Sequence, residues 1–579
     1  MPPLPQASSE PPRRFHRGKS KPRGVVWFGI NSFWGHMQHF LASAIATEDI
    51  DSRDWMRPND PEELLAAVGE ILRARSKDAP TLTEALDRDL WIDFLADTGD
   101  DPEVSTAMAR IVFAEHEVRE GEGTLVTPRG DLLVFGGDTA YPVATAREIT
   151  DRVVAPFNRV LGDVADRKRR VLLGIPGNHD WYDGLDGFGR LFRRRLGELA
   201  PEQLTPQVTP GRETQLLHVV EWVQKFVRGR QVKKQRVLVI DGYEPVQRAS
   251  YFALPLAPGL DLFAVDRQLR TIDYRQQSFF ADRRHAAPDA RRFVMLPDPV
   301  YSFLRPSPTG VDMAESLDLD LETTPHLVLA GDIHHYERRT VGASLHVVAG
   351  GGGAFMHASL SAPEGAPQPD KQWPGVPATQ KMLLGVPLHV AIGKAGFLPH
   401  LVFVLLFGPA LGVGLGVFGT SRGIYGGSIA AGVVGAIVCA LIGGVRQAAP
   451  PQRRAVLWLA LLAGVSMAVL PPLAASLALR AFPRLHATPP LEAALTLLVA
   501  AFSGSFVFGG FLAALTWLGL EGSQAFTSLG VPGYRHFVRI RVRRDGSAVD
   551  GWVIGLLDPL APGSKPALVD HWTFRPRPP

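Results

Sequence analysis

Long apolar stretches joined by short polar connections fill the chain between residues 395 and 520. Four of them contain no Asp, Glu, Lys or Arg, and they lie at 397–419, 426–445, 455–479 and 494–519. A helix rises about 1.5 Å per residue, so each stretch is long enough to cross about 30 Å of hydrocarbon. The pattern predicts an all-α domain of four transmembrane helices over residues 395–520.

A different pattern, of short and mostly apolar runs that end in polar loops, characterises the preceding part of the chain. The runs have the length of strands buried on both faces, and they lie at 91–96, 131–135, 171–175 and 326–330. Stretches of helical character at 102–116 and 145–160 separate the first three runs. This alternation predicts a layered α/β domain.

Four further segments flank these two regions. We expect residues 1–24, rich in Pro, Arg and Lys, to be a disordered basic tail, and residues 25–89 to be an N-terminal helical extension. Residues 358–394, with many Pro, Gly and Ala, predict a linker. Residues 521–579 contain two alternating runs separated by a turn, which predicts a C-terminal β-hairpin segment. This hairpin would add to the sheet of the α/β domain if both lie on the same membrane face.

Composition narrows the class of protein. The chain has 579 residues, more than one compact core accommodates, and 46% of them are hydrophobic. A fully disordered chain could not carry this many large apolar groups. The only cysteine, Cys439, excludes a disulfide-stapled secreted domain. A net charge of +3 is small for this length, so no nucleic-acid partner is expected.

The distribution of basic residues predicts the orientation of the four helices, because basic residues near membrane helices favour the cytoplasmic side. They are more frequent before the first stretch, between the second and third, and after the fourth than in the other connections. Those on the richer side include Lys381, Lys394, Arg446, Arg453, Arg454, Arg535, Arg539, Arg541, Arg543 and Arg544. We therefore expect a multi-pass protein of the inner or plasma membrane, with the α/β domain and the C-terminus in the cytoplasm.

Side chains that can bind a metal follow the ends of the predicted strands. They occur in the motifs DTGD, GGDTAY, PGNHDW and GDIHHYER, and they are Asp97, Asp138, Asn178, His179, Asp332 and His334. Strand ends at one edge of a sheet are where α/β proteins gather their sites. A mixed set of carboxylate, amide and imidazole donors suits Mn, Fe or Zn better than Ca. The ordered set therefore predicts a metal site, although one Gly-Asp pair alone is common in turns.

The ordered motifs resemble those of the calcineurin-like metallophosphoesterase superfamily, and most of all its purple-acid-phosphatase-type branch. That branch reads DxG, GDxxY, GNH[DE], VxxH and then GHxH followed by YER. Residues 97–99, 137–141, 177–180 and 331–338 match the first, second, third and last of these. The resemblance implies a metallophosphoesterase-type two-sheet α/β sandwich over residues 90–357.

The sequence departs from the family pattern at two histidines. The first histidine of GHxH is Asp332 here, and the VxxH histidine falls at Pro297 or Asp298. In the family these two histidines serve one metal of a pair. Here that metal would keep Asp138 and Asn178 and use Asp332, with Asp298 as an additional candidate. The added carboxylates favour a harder cation such as Mg or Mn; alternatively, the second metal is weak or absent.

The other metal site of the pair is complete. By resemblance its ligands are Asp97, Asp138, Tyr141 and His334. Two divalent cations, whether Mn, Fe, Zn or Mg, would clamp a phosphoryl oxygen and activate a bound water, with Asp138 between them. The resemblance gives His179 the task of neutralising or protonating the leaving oxygen, with Asp180 orienting its ring.

Two functions are consistent with these features. The first is a membrane-anchored, metal-dependent phosphoesterase that hydrolyses a phosphomonoester or phosphodiester at the cytoplasmic membrane surface. Its partners would be the bilayer and a phosphorylated substrate, for which a lipid headgroup is one candidate. The alternative is a catalytically impaired domain of the same type that binds or senses a phosphorylated ligand. The two missing histidines favour the second, and the intact GNHD and DxG motifs favour the first.

Overall fold

Two seven-stranded sheets and a C-terminal helical region make up the described part of the protein. The structure is a computed structural model, and it describes residues 2–19, 22–29, 32, 57–121, 123–194, 237–267, 272–361, 368–413, 420–444, 450–482 and 489–576. Within these ranges the mixed α/β class predicted from the sequence is confirmed. Residues 213–228, whose sequence also predicts a helix, lie outside them.

The first sheet combines strands from the two ends of the chain. In spatial order they are Ala567–Phe574, Val549–Leu556, Arg535–Val542, Leu90–Leu95, Leu132–Gly136, Arg170–Ile175 and Tyr243–Pro245. Leu90–Leu95 is parallel to Leu132–Gly136 and antiparallel to Arg535–Val542. The C-terminal hairpin predicted from the sequence thus forms part of the main sheet, together with a third strand that the sequence analysis did not identify.

The second sheet contains the strand before GDIHHYER. In spatial order its strands are Lys371–Trp373, Tyr336–Val341, Ser344–Ala349, Leu327–Ala330, Arg291–Leu296, Leu260–Ala264 and Phe252–Ala257. The linker predicted at 358–394 is therefore wrong for Lys371–Trp373, which pairs with Tyr336–Val341. Trp373 is 1% exposed, and burial of this large ring fixes a segment whose Pro and Gly content indicated a linker. Two short pairs complete the strands: His116–Glu120 with Gly123–Thr127, and Tyr301–Ser302 with Arg305–Pro306.

Side chains that alternate along the strands point to opposite faces of each sheet, and this determines how the sheets and helices are layered. Ile92 and Phe94 of the first sheet share one buried cluster with Leu262 and Leu329 of the second, so the sheets pack face to face. Side chains of opposite parity, such as Phe135, are buried under helices on the outer faces. Burying each large apolar side chain stabilises the fold by about 1.5–3 kcal/mol. The core therefore lies between the sheets and between each sheet and its helices.

The helices outside the C-terminal apolar region mostly begin at recognisable signals. Pro102–Val112 starts with Pro at its first turn and Asp101 capping the Glu103 amide. The helix ends at Val112, four residues before 116, the predicted end of this helical stretch, because His116–Glu120 is a strand. The remaining helical segments are Pro61–Leu72, Leu82–Leu86, Ala146–Ile149, Thr150–Val154, Ala155–Asp163, Asn178–Trp181, Asp186–Phe192, Tyr274–Ala286, Pro308–Ser316, Val376–Leu383, Val386–Ala391 and Gln524–Leu529.

The N-terminal segment is bound along the domain, so the expectation of a disordered basic tail at 1–24 is wrong for the residues described there. The Leu568 amide donates to the Pro5 carbonyl, and the Ala7 amide donates to the Leu568 carbonyl, both at 2.8 Å. Further along, the Val25 amide donates to Asp100 Oδ1 at 2.6 Å. Composition indicated a solvated segment, but backbone groups pair regardless of side-chain polarity.

Four apolar helices occupy the C-terminal region, at Leu398–Val413, Thr420–Ile442, Pro450–Ala481 and Pro489–Trp517. Two segments, Pro451–Ala481 and Pro490–Trp517, are long and apolar enough to cross a membrane by length and composition. Only 33% and 44% of the residues in their most apolar parts are buried in the protein. Most of this apolar surface therefore faces outward, as lipid contact requires.

Two of the basic residues used to predict the orientation are buried in the first sheet. Arg535 and Arg539 are 0% exposed. Arg539 Nε lies 2.7 Å from Asp93 Oδ1, and these two residues face each other in the strand register. Their charges belong to the interior of the domain, so the predicted cytoplasmic orientation depends on the remaining basic residues and stays a prediction.

Candidate metal centre

Each candidate ligand in a turn follows directly on a strand. Asp97, Asp138, Asn178 and Asp332 come two or three residues after Leu95, Gly136, Ile175 and Ala330, which end four strands. The three aspartates have positive φ, at 58°, 49° and 65°. This backbone conformation is unfavourable for a residue with a Cβ, and such strain concentrates at functional sites. The turns are therefore held in shape by the structure around them.

Glycines in the motifs let the backbone approach these carboxylates. A Cβ on Gly177 would overlap the Asp138 carboxylate, and a Cβ on Gly331 would lie 2.8 Å from Asp97 Oδ2, closer than non-bonded atoms pack. A larger residue at either position would displace a candidate ligand. The glycine-rich appearance of the motifs therefore has a steric cause at the site itself.

The Tyr141 hydroxyl is the centre of the cluster. Its oxygen lies 3.0 Å from Asp97 Oδ1, 3.1 Å from Asp138 Oδ2 and 3.0 Å from His334 Nε2. Asp97 Oδ1 and His334 Nε2 are 3.4 Å apart. All four side chains are buried. The structure thus brings together the four residues that the sequence assigned to the first metal.

These four side chains offer more lone pairs than protons. His334 Nδ1 lies 2.6 Å from the Phe355 carbonyl oxygen, which only accepts, so Nδ1 carries the proton of the neutral ring. Burial lowers the pKa of His334 well below its usual value and keeps the ring neutral. His334 Nε2 is then an acceptor. When both carboxylates are charged, the single Tyr141 proton must serve this nitrogen and two carboxylates. A cation would satisfy the acceptors that this proton cannot reach.

Burial and mutual repulsion destabilise the charged carboxylates. Burial, followed by the charges of Asp138 and Asp332, raises the pKa of Asp97 well above its usual value. Burial also raises the pKa of Asp332 to about 6, although the nearby Arg267 opposes this shift. Arg535 is a buried cation close to Asp97, but its guanidinium donates to backbone carbonyls. A divalent cation among the carboxylates would remove the repulsion.

The residues assigned to the second metal are less complete. Asn178 is partly exposed, and its Nδ2 donates to the Tyr182 hydroxyl at 3.0 Å. Asp332 is also partly exposed. Asp298, the additional candidate, forms a buried ion pair with Arg267. Burial, followed by the charge of Asp332, raises the pKa of Asp298 well above its usual value, although Arg267 opposes this shift. The role of Asp298 as an additional ligand stays a prediction.

A backbone carbonyl, and not Asp180, orients the His179 ring, which corrects the sequence-based expectation. His179 Nδ1 lies 2.6 Å from the Pro142 carbonyl oxygen. Asp180 is buried and accepts hydrogen bonds from the Gly177 amide at 2.9 Å and the Thr139 amide at 3.3 Å. Successive helical residues point about 100° apart, so Asp180 faces the turn and holds the segment that carries His179.

Three residues beside the site were not identified from the sequence. The His357 ring stacks on His334 with centroids 4.1 Å apart, and its Nδ1 accepts from the His334 amide at 3.1 Å. The Phe355 carbonyl fixes the tautomer of His334. The Trp27 ring lies 5.9 Å from the Tyr141 ring. The glycine run before Phe355 was the only signal for two of them, and nothing local marks Trp27.

The fit of a metal differs between the two sets. Among the residues that the structure describes, no three His, Cys, Asp or Glu side chains stand as a preformed metal site. The side chains of the first set converge on the Tyr141 hydroxyl rather than on an empty position. Their carboxylate, imidazole and phenol donors are nevertheless of the types that suit Mn, Fe or Zn. The second set shows no comparable convergence among the described residues, because Asn178 and Asp332 are partly exposed and Asn178 is bonded to Tyr182.

Comparison with known proteins adds little to this geometry. No family model matches the chain, and no curated protein matches it. Among solved structures, the chain is similar to one titled "GAP50 the anchor in the inner membrane complex of Plasmodium". The match has 10% identity and a TM-score of 0.30, and it covers 50% of this chain and 79% of that chain. A similarity this low supports no statement about the fold or the function.

Proposed function

We propose that the protein is a membrane-anchored, metal-dependent phosphoesterase of the calcineurin-like type, which hydrolyses a phosphomonoester or phosphodiester. The observation that carries the proposal is the buried group around the Tyr141 hydroxyl, where two carboxylates and an imidazole lone pair converge on one oxygen. The ordered motifs of the superfamily supply these residues. The fold assignment to that superfamily is part of the same proposal.

The roles follow from the placement of the side chains. Asp97, Asp138, Tyr141 and His334 would hold a divalent cation, which when bound supplies Lewis acidity and an activated water. His179 is partly exposed beside this group, and the Pro142 carbonyl fixes the proton on its Nδ1. Its Nε2 is then placed to bind the leaving oxygen and, in the protonated ring, to give it a proton. The expectation of a second cation stays a prediction.

Hydrolysis of aryl phosphates tests the proposal. Asp138→Asn and His179→Ala should each lower the rate of p-nitrophenyl phosphate or bis-p-nitrophenyl phosphate cleavage by about 10²–10⁴-fold. Asp163→Asn and His285→Ala change the same residue types at exposed positions and should leave the rate unchanged. Unchanged rates in the first two variants, with Mn, Fe, Zn or Mg supplied, would refute a phosphoesterase.

The alternative function, binding of a phosphorylated ligand without turnover, is favoured by one observation. Arg267 lies beside Asp332 and pairs with Asp298, at the place assigned to the second metal. A guanidinium can bind a phosphate but cannot activate water. Inorganic phosphate that binds in calorimetry, in a protein that cleaves neither aryl phosphate with any of these metals, would establish this alternative.

The membrane part of the proposal has its own support. The first apolar helix begins at Leu398, whose amide donates to the Phe28 carbonyl, and the fourth ends at Trp517, five residues before Gly522, whose carbonyl accepts from the Ala358 amide. Both connections are consistent with four antiparallel crossings. We therefore keep the proposed location of the domain and the C-terminus in the cytoplasm, in the inner or plasma membrane. A reporter fused after Pro579 should be active in the cytoplasm, and activity outside it would overturn this orientation.

A further inference from the structure

Two adjacent residues join the candidate site to the membrane helices. The Trp27 ring lies 5.9 Å from Tyr141, 6.0 Å from His179 and 4.8 Å from Phe355. The next residue, Phe28, belongs to the helical region. Its amide donates to the Ala395 carbonyl at 3.1 Å, and its carbonyl accepts from the Leu398 amide at 3.1 Å. The edge of the site is therefore one residue from the start of the first apolar helix.

A second connection joins the other side of the site to the same helix ends. The Phe303 ring lies 5.7 Å from His357, which stacks on His334. Two residues later, Arg305 Nη1 donates to Gln452 Oε1 at 2.7 Å, near the start of the third apolar helix. The Ala358 amide donates to the Gly522 carbonyl at 2.9 Å, just after the fourth. The site thus lies between two attachments at one end of the bundle.

The surface next to these attachments is apolar and exposed. Leu384, Leu388 and Ile392 follow one another at four-residue spacing, around the helix Val386–Ala391, and are 73%, 54% and 43% exposed. Leu388 lies in this helix, and Leu384 and Ile392 lie in the turns just before and after it. Phe397, just before the first apolar helix, is 66% exposed. The apolar face formed by these four residues directly precedes the first apolar helix in the chain, and lipid is a partner able to cover both surfaces.

Basic and aromatic residues indicate the depth of this face in the bilayer. Lys381 and Lys394 are exposed on either side of the apolar face. Trp517, at the end of the fourth apolar helix, is 50% exposed. Lys and Trp collect at the boundary between hydrocarbon and headgroups, where an apolar stem and a polar tip are both solvated. The segment therefore lies at the depth of lipid phosphates.

Of the partly exposed groups of the site, His179 lies beside Trp27. His179 and Asn178 are partly exposed, whereas Asp97, Asp138 and Tyr141 are buried. A phosphoryl group therefore reaches the buried set past His179, beside the indole ring. At this position a phosphate attached to a lipid arrives without leaving the membrane surface. A freely dissolved substrate would need no such connection between the site and the helix ends.

We propose that the substrate is a lipid phosphoester that stays in the bilayer, and that its phosphoryl group enters the site past Trp27 from the headgroup layer. The inference depends on the proposed phosphoesterase activity and adds the class of substrate. The overall step is ordinary hydrolysis: water adds to phosphorus, the P–O bond to the leaving oxygen breaks, and that oxygen takes a proton. No other co-reactant is needed.

Proteoliposomes of the full chain test this inference. Phosphatidic acid and phosphatidylglycerol in the bilayer are compared with their soluble counterparts, glycerol 3-phosphate and glycerophosphoglycerol. We expect at least one lipid to be cleaved ten-fold or more faster than its counterpart. The rate should saturate with the surface fraction of the lipid rather than with its bulk concentration.

The possible failures are distinguishable. Cleavage of the soluble compounds with none of the lipids would overturn the lipid substrate and leave the phosphoesterase standing. Cleavage of neither, in a protein that is also inactive on aryl phosphates, would refute the proposed function and the inference with it. Cleavage of lipid and soluble compound at equal rates would also refute the lipid preference.

A pair of surface variants separates lipid access from catalysis. Leu388→Glu places a charge on the apolar face and should lower cleavage of the bilayer lipid about ten-fold, while p-nitrophenyl phosphate cleavage is unchanged. Val126→Glu is the matched control, because Val126 is 55% exposed on a hairpin of the soluble domain. Equal lipid cleavage by the two variants would show that this face does not seat the site on the membrane.

Discussion

Among single residues, the positions of the protons on two histidine rings determine which ring nitrogens can act at the site. The Phe355 carbonyl places the His334 proton on Nδ1, and the Pro142 carbonyl does the same for His179. Both rings therefore turn their Nε2 away from these carbonyls, and for His334 that nitrogen faces the Tyr141 oxygen. Two backbone carbonyls thus fix the tautomer and orientation of both imidazole rings. A sequence motif identifies the histidines but contains no information about these carbonyls.

Asp298 provides a prediction at this scale. Because Arg267 already neutralises it, Asp298→Asn should leave the number of bound Mn²⁺ per chain unchanged. Asp138→Asn should lower that number, since Asp138 belongs to the group around Tyr141. Metal content of the purified variants after dialysis measures both. Loss of a metal in Asp298→Asn would show that the ion pair opens and that Asp298 is a ligand.

At the scale of elements, the C-terminal strands are held to the first sheet by a buried ion pair. Arg539 Nε and Asp93 Oδ1 are 2.7 Å apart, and both side chains are 0% exposed. Arg539 also donates to the Val112 and Ala114 carbonyls, and Asp93 Oδ2 accepts from the Gly130 amide. A buried pair with its remaining hydrogen bonds satisfied specifies the register of the two strands.

Removal of one partner tests this element. Asp93→Ala leaves the Arg539 charge buried without its partner, so we expect a loss of about 3–5 kcal/mol in the free energy of unfolding. The double variant Asp93→Leu with Arg539→Met should recover much of this loss. Arg75→Ala breaks the exposed pair with Asp87 and should change stability by about 1 kcal/mol at most. Thermal unfolding of the full chain in detergent compares them, and equal effects of Asp93→Ala and Arg75→Ala would contradict the argument.

At the scale of the whole molecule, the buried histidines predict a loss of stability in acid. Burial, followed by the charges of Arg339 and His326, lowers the pKa of His346 to about 4. Within the described part of the chain, neither ring nitrogen of His346 has a hydrogen-bond partner, and its ring lies 5.1 Å from Tyr301. In the unfolded chain the pKa of this histidine is near 6.5. Between pH 6.5 and 4 the unfolded chain therefore binds a proton at His346 that the folded protein does not bind.

The direction of the change in stability with pH follows from these two pKa values. The full contribution is present above about pH 6.5, falls as the pH drops towards 4 and is constant below that. One pH unit between the two pKa values corresponds to about 1.4 kcal/mol, so the effect is on the order of 3 kcal/mol. His346→Leu should reduce the loss of stability between these pH values, measured by denaturant unfolding. An unchanged pH dependence would show that His346 is not kept neutral by the fold.

The sequence by itself determined what depends on neighbours in the chain. Periodic apolar runs gave the strands and the apolar helices, because burial of a repeating face is decided locally. Polar residues just after parallel strands gave Asp97, Asp138 and Asn178, because the carboxyl ends of such strands share an edge.

Only the tertiary structure decided what depends on residues far apart. Asp93 meets Arg539 across 446 positions, and Asp298 meets Arg267, so charges that looked like membrane flanks or metal ligands are paired inside the domain. Trp27 reaches the site because backbone hydrogen bonds fix the N-terminal segment, and such bonds leave no trace in side-chain pattern. Long-range pairing is a property of the folded chain, and composition does not encode it.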